Sequence, residues 1–409
     1  MNLAWLSLLA LVIAMIVSCF STLNVGVLAL ALAWIVGVYL GSMSLNDVLS
    51  GFPVQLFLTL AGVTLMFTQA QLNGTLDRVA HAAVRVCRGN AGLIPVMFFV
   101  LGSIIASLGP GNVATAAMLA PMAMAVATRA SIPPFLMAIM VGNGAQSGAL
   151  SPVAPTGIIV TGLMDKIGLG GFEMRTYIAN LVAHAIIAFG GYFLLGGLKL
   201  FKNRYGGEQD AESTRLVGSH WVTLAVIGVV LIFVLFLNAN IGMAAFTGAV
   251  VLAALRVADH EQAIRKMPWI PILMVSGVSV LVALLEKTGG LDLFTEILAK
   301  FATPGTLTGV IAFVTGVISV YSSTSGVVLP AFLPTVPGLI ARLGGDPFGV
   351  ASSMNIGAHL VDMSPLSTTG AMCIAGISDP EQVRQTYNKL LVWGLSMTVI
   401  GAIGCYIAF

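Results

Sequence analysis

Charge is the scarcest property of this sequence. Of its 409 residues 8% are charged and 58% hydrophobic, too little polar surface to coat a water-soluble globule of this length. Its four cysteines, Cys19, Cys87, Cys373 and Cys405, have no CxxC or metal spacing and imply neither a disulfide framework nor a zinc site. A net charge of +2 gives no reason to invoke nucleic acid as a partner. No GxSxG, HExxH or paired-aspartate motif is present, so the signatures of a hydrolase or metalloenzyme are missing and no resident cofactor is expected. An intramembrane enzyme built on His359, Asp362 or one of the serines is the alternative from that class.

Long apolar runs are abundant. Leu3 to Phe20 is the first of fourteen segments of roughly spanning length, and it lacks both a basic leader and a clear cleavage site, so it reads as a retained span. The composition is that of an all-α polytopic protein of the lipid bilayer. Within it, one pattern is written twice. Gly144-Ala145, Ser151-Pro152 and Thr156-Gly157 recur in the same order and spacing as Gly357-Ala358, Ser364-Pro365 and Thr369-Gly370. Gly74-Thr75-Leu76-Asp77 is echoed by Gly289-Gly290-Leu291-Asp292, and the spacing of Thr115 to Pro121 by that of Thr324 to Pro330. The expected organisation is therefore a first repeat over 1–200 with a hairpin at 91–128 and a broken helix at 132–164, a cytoplasmic linker at 201–216, and a second repeat over 217–409 with a hairpin at 306–342 and a broken helix at 347–378.

If each hairpin is re-entrant, each half has five true spans. An odd number inverts one half against the other. Thirteen Lys and Arg then share one face, including Arg78, Arg85, Arg88, Arg129 and Arg215, while the other holds only Lys166, Arg175, Lys287, Lys300 and Arg342. By the positive-inside rule the first face is cytoplasmic and both termini lie outside, in a cell inner (plasma) membrane.

Irregular backbone at membrane depth is tolerated only where it is buried or lines a polar cavity. Ser151-Pro152 and Ser364-Pro365 are expected to restart helices, with Ser at the N-cap and Pro at the first helical position. Restarted helices aim free amides at mid-membrane and suit a carboxylate, while the preceding carbonyl ends suit a sodium ion. Asn112, Thr115 and the run Ser322-Ser323-Thr324 add neutral hydroxyl and amide groups beside them. In the second break lie His359 and Asp362, where the first has Gln146 and Ala149. That pair can take up a proton or complete a cation site; the plain alternative is a histidine bonded to nearby backbone and an aspartate capping the restarted helix. His184, alone on an apolar span, reads as a packing residue.

The stretch Gly111 to Met118, closing on Pro121, resembles the Ser-Asn-Thr hairpin signature of the divalent-anion/sodium symporters of the ion-transporter superfamily, and Ser322-Ser323-Thr324, closing on Pro330, resembles their second signature. The run Thr68 to Leu76 is similar to MatC-type malonate and dicarboxylate carriers. The resemblance implies hairpins and broken helices that move elevator-fashion against a scaffold, which also forms a homodimer. It implies one ion site at Asn112 and Gly144, another at Ser322 to Thr324 (Ser323 central) and Gly357, and substrate carboxylates between them near Asn112, Thr156, Ser323, Pro365 and Thr369. Gly111 and Val113 stand where the first signature has Ser and Thr, and a serine where the second has Asn. These departures leave backbone carbonyls, or a proton route through His359 or Asp362, to supply the coupling. The reading is a carrier for small dicarboxylates driven by Na+ or H+, with an arsenite permease or a sodium/proton antiporter of the same superfamily as the alternatives.

Overall fold

The computed structural model describes residues 2–409 apart from 22, 77, 79–86, 88, 205–215, 238 and 378. Most of the expected linker, Asp77 of the Gly74 echo, and Arg85, Arg88 and Arg215 thus lie outside the described residues. Among those described, regular structure is helical except for an isolated bridge between Asn90 and Arg204.

The first half runs α1 (Leu3–Phe20), α2 (Val25–Trp34, continuing to Leu40), α3 (Leu45–Leu49), α4 (Val54–Leu72), α5 (Leu93–Leu108), α6 (Gly111–Arg129), α7 (Pro134–Ser147), α8 (Pro155–Lys166) and α9 (Glu173–Tyr192, continuing to Leu200). The second runs α10 (Gly218–Leu237), α11 (Ile241–Ala254), α12 (His260–Lys266), α13 (Trp269–Thr288), α14 (Gly290–Ala299), α15 (Leu307–Tyr321), α16 (Thr324–Leu343), α17 (Pro347–Leu360), α18 (Thr368–Ala375) and α19 (Pro380–Ala408). α5–α6 and α15–α16 are helical hairpins, joined at Gly109-Pro110 and at Ser322-Ser323, and short irregular segments separate α7 from α8 and α17 from α18.

Six described helices are long and apolar enough to cross a membrane: α4, α6, α9, α13, α16 and α19. They occupy corresponding places in the two halves. α9 shows Met174, Ile178, Val182 and Ile186 as one exposed stripe at a four-residue spacing, a face that fits lipid and not water. In contrast α7 is buried all round from Leu136 to Ser147, and α17 from Phe348 to Leu360. The broken helices are therefore the centre of the molecule and α9 is part of its rim.

The halves interlock reciprocally. α2 packs on α13 and α4 on α11. At the first crossing a Cβ on Gly26 or Gly277 would overlap the other helix's backbone, and at the second the same holds for Gly62, which would overlap the Gly242 carbonyl. Small residues at matched positions let these backbones approach closely, as membrane helices do when apolar burial gives no gain over lipid. The end of α4 and the turn after it, which resemble MatC-type carriers, form a clamp between the halves: Gln69 bonds His260, the Asn73 amide donates to Thr223 at 2.7 Å, and the Asn73 carbonyl meets His220 at 3.1 Å.

Prolines decide the irregular backbone. α16 opens with a π-turn at Thr324–Val328 and tightens to a 3-10 turn at Leu333–Thr335, where Pro330, Pro334 and Pro337 remove successive N–H donors. At the two breaks the expected Ser N-cap is corrected. The restarted helices are capped at Ala154, with Pro155 at the first position, and at Ser367, whose hydroxyl accepts from Gly370 N. Ser151 and Ser364 begin turns instead: Ala154 N donates to Ser151 O at 2.9 Å and Ser367 N to Ser364 O at 3.0 Å. Pro152 and Pro365 occupy the second turn position, where a fixed φ is favoured and no N–H is used.

Candidate functional site at the two helix breaks

A side-chain hydrogen-bond chain crosses the molecule between the breaks. Thr156, at the start of α8, donates to Asn112 Oδ1 at 3.3 Å. Asn112, at the tip of the first hairpin, donates through Nδ2 to Gln146 Oε1 at 2.9 Å. Gln146, on the last turn of α7, donates through Nε2 to Thr369 Oγ1 at 3.0 Å and to Asp362 Oδ2 at 3.2 Å. Thr324, at the tip of the second hairpin, donates to Asp362 Oδ1 at 2.9 Å and also meets Ser319. Both hairpin tips and both breaks thus converge on one polar line. Asn112, Gln146, Thr156, Thr324 and Thr369 are buried, and Asp362 is half-buried.

Local structure fixes each participant. Ser151 donates to the Ser107 carbonyl at 2.7 Å, tying the first break to its hairpin. Ser367 bonds the Asp362 carbonyl and, at 2.9 Å, that of Ser364, closing the second break around Asp362. Asn180 of α9 ties down the end of α7 by donating to Gln146 O at 2.9 Å, a carbonyl that also accepts from Ala149 N at 3.1 Å. We expect Ser151→Ala to lower the melting temperature of the purified protein, for a loss of about 1 kcal/mol; an unchanged melting curve would show that the Ser107 contact holds nothing.

The other expected residues lie around this line. Thr115 is buried one turn beyond Asn112 with no partner for its hydroxyl. Ser323 caps α16, accepting from Gly326 N at 3.1 Å, and Ser322 is the half-buried hairpin residue before it. Ser364 accepts from Leu366 N, and Pro365 is buried in the turn. Gly144 and Gly357 sit where α7 crosses α5 and α17 crosses α15, and a Cβ there would strike the backbone of Phe99 or Ala312. His359 stands off the line, its Nδ1 on the Asn355 carbonyl at 2.8 Å, as the plain reading has it. Ser367, not Asp362, caps the restarted helix. His184 bonds Asn143 at 2.9 Å.

Gln146 is the residue that the motif reading did not rank. It follows the repeated Gly144-Ala145 directly and joins the first break to the second through Asp362 and Thr369.

A cavity of about 1010 Å³ lies beside the line, between the start of α4, α13 and α14 on one wall and α8 and α16 on the other. It reaches Pro152 of the first break and Pro330 of the second hairpin, and Asp165, Lys166, Glu286 and Asp292 are its charged lining. Among the described residues no His, Cys, Asp and Glu group is arranged to hold a metal ion.

Residues 1–149 match the family described as the N-terminus of the dicarboxylate carrier protein MatC. Over 340 residues the chain is 24% identical to a protein of Mycobacterium tuberculosis, known from two strains and described in both as an uncharacterized transporter, covering 75% of this chain and 78% of the relative. The crystal structure of the Alcanivorax borkumensis YdaH transporter, described as having an unusual topology, is similar over 99% of this chain and 97% of that one, with a TM-score of 0.60 at 15% identity. The chain is thus a multi-pass, all-helical membrane transporter, whose first 149 residues match the N-terminal model of the MatC dicarboxylate carriers.

Proposed function

We propose that the protein is a secondary carrier for small dicarboxylates of the malonate or succinate type, coupled to a cation, sodium or protons. The observation that carries this reading is the donor line itself. Thr156, Asn112, Gln146, Thr369 and Thr324 present neutral hydroxyl and amide groups between two restarted helices. Such donors recognise carboxylates without holding them by a buried cation, which suits a ligand that must be released again. Asn112 and Thr115 with Gly144, Ser151 and Thr156 form the first half of the site. Ser322, Ser323 and Thr324 with Gly357, Ser364, Pro365 and Thr369 form the second, with Asp362 or His359 as the coupling group.

The reciprocal packing of the halves supports inverted repeats and alternating access in an elevator manner, with the hairpins and broken helices moving against the interlocked scaffold of a homodimer. The charge distribution supports a plasma-membrane location with both termini outside. Uptake of radiolabelled malonate and succinate into proteoliposomes, with sodium and proton gradients imposed separately, tests the reading. Accumulation of either acid under one gradient is expected. Uptake of neither, with arsenite transported or sodium exchanged for protons, would replace the dicarboxylate reading with the corresponding alternative.

A further inference from the structure

Asp362 is the end point of a directed chain. Every group facing its carboxylate is a donor: Thr324 Oγ1 at one oxygen, Gln146 Nε2 at the other. The ionised Asp362 sets the direction, because it can only accept: the Gln146 amide donates to it and to Thr369, which leaves Gln146 Oε1 to accept from the Asn112 amide and Asn112 Oδ1 to accept from Thr156. Among the described residues no cation pairs with the aspartate. α7 and α15, packed against it, carry no charged side chain; α18 offers only Cys373; the Glu381, Arg384 and Lys389 of α19 and the Arg342 of α16 are exposed. His359 of α17 is engaged through Nδ1 with Asn355 O, and His184 of α9 with Asn143.

Resting on the dicarboxylate reading above, we propose that Asp362 carries the coupling proton and that Gln146 is the switch through which that proton admits the substrate. A half-buried carboxylate with no cation paired to it repels two more carboxylates brought beside it. A proton added to Asp362 Oδ2 removes that charge and turns an acceptor into a donor. The neutral O–H is a far weaker acceptor for the Gln146 N–H than the carboxylate was. The Gln146 amide, still anchored through Oε1 to Asn112, is released to donate to a carboxylate of the substrate beside Thr369. On the far side the substrate leaves, Asp362 loses its proton to solvent, and the Gln146 bond re-forms. A sodium ion fits this carboxylate poorly, because such an ion is bound by oxygens and here an amide N–H is aimed at Oδ2.

The test is equilibrium binding of succinate to the purified protein across a pH range in which both succinate carboxyls stay ionised. Affinity should rise as pH falls, by up to about tenfold per unit for one linked proton, and Asp362→Asn should flatten that slope. In weakly buffered solution, binding of succinate to the unaltered protein should draw about one proton from the medium, a readout that needs no variant. Binding with no pH slope and no proton uptake, or binding tightened by sodium and not by protons, would overturn the proton switch while leaving the dicarboxylate reading standing. Absence of succinate and malonate binding at every pH would overturn that reading itself.

Discussion

Replacing Gln146 with methionine is expected to weaken dicarboxylate binding about a hundredfold, or more, while the protein still folds. The substitution keeps the length of the side chain and removes both of its hydrogen-bonding ends. Gln146 lies on the last turn of a helix buried all round, so a smaller residue would add a cavity to the lost polar contacts. With methionine the loss is chemical. Thr369 and Asp362 lose their shared donor and Asn112 loses its acceptor. Bonds to charged groups are worth about 1.5–3 kcal/mol each, and 1.4 kcal/mol is a factor of ten in affinity. Binding of labelled succinate to purified Gln146→Met, alongside its melting curve, separates the site from the scaffold. Unchanged affinity in a folded protein would show that the line between the breaks is structural only.

The second large effect concerns the glycines of the repeated motif. A Cβ on Gly157 would overlap the Ser151 carbonyl, and one on Gly370 the Ser364 carbonyl, because each restarted helix folds back against the turn before it. Gly162 lies on the same helix as Gly157 and has nothing within 4 Å of where its Cβ would be. Gly157→Ala and Gly370→Ala should each cost about 3 kcal/mol or more, since the obstacle is backbone and cannot rotate away. Gly162→Ala should be neutral or stabilising by up to about 1 kcal/mol, the ordinary difference in helix propensity. Thermal unfolding of the three variants in one detergent distinguishes them. Equal melting temperatures for Gly157→Ala and Gly162→Ala would mean that the break tolerates a side chain and that its repetition has another cause.

These glycines also mark how far the sequence could be read. Gly157 and Gly370 stand out because breaks at membrane depth need particular residues, and two copies at matched places expose the pattern before any coordinates. The hairpin tips at Gly109-Pro110 and at Ser322-Ser323 were legible for the same reason. The role of Ser151 and Ser364 was not, since Ser-Pro serves equally as a helix start and as the first pair of a turn. The helices are capped three residues later, at Ala154, where Pro155 opens the helix, and at Ser367. Gln146 escaped because its significance lies in a partner 216 residues away. A glutamine at the end of a buried helix has no motif, and only the folded chain shows that its amide meets Asp362 and Thr369. His359, by contrast, was flagged by its titratable ring but is held by its own helix at Asn355.

The structure of the protein with saturating malonate tests most directly whether the two breaks form one substrate site. The ligand is expected between the breaks, with one carboxylate within hydrogen-bonding distance of Gln146 Nε2 and Thr369 Oγ1 and the Gln146 bond to Asp362 broken. Malonate bound instead only in the wide cavity lined by Glu286 and Asp292, with the line from Thr156 to Thr324 intact, would contradict it.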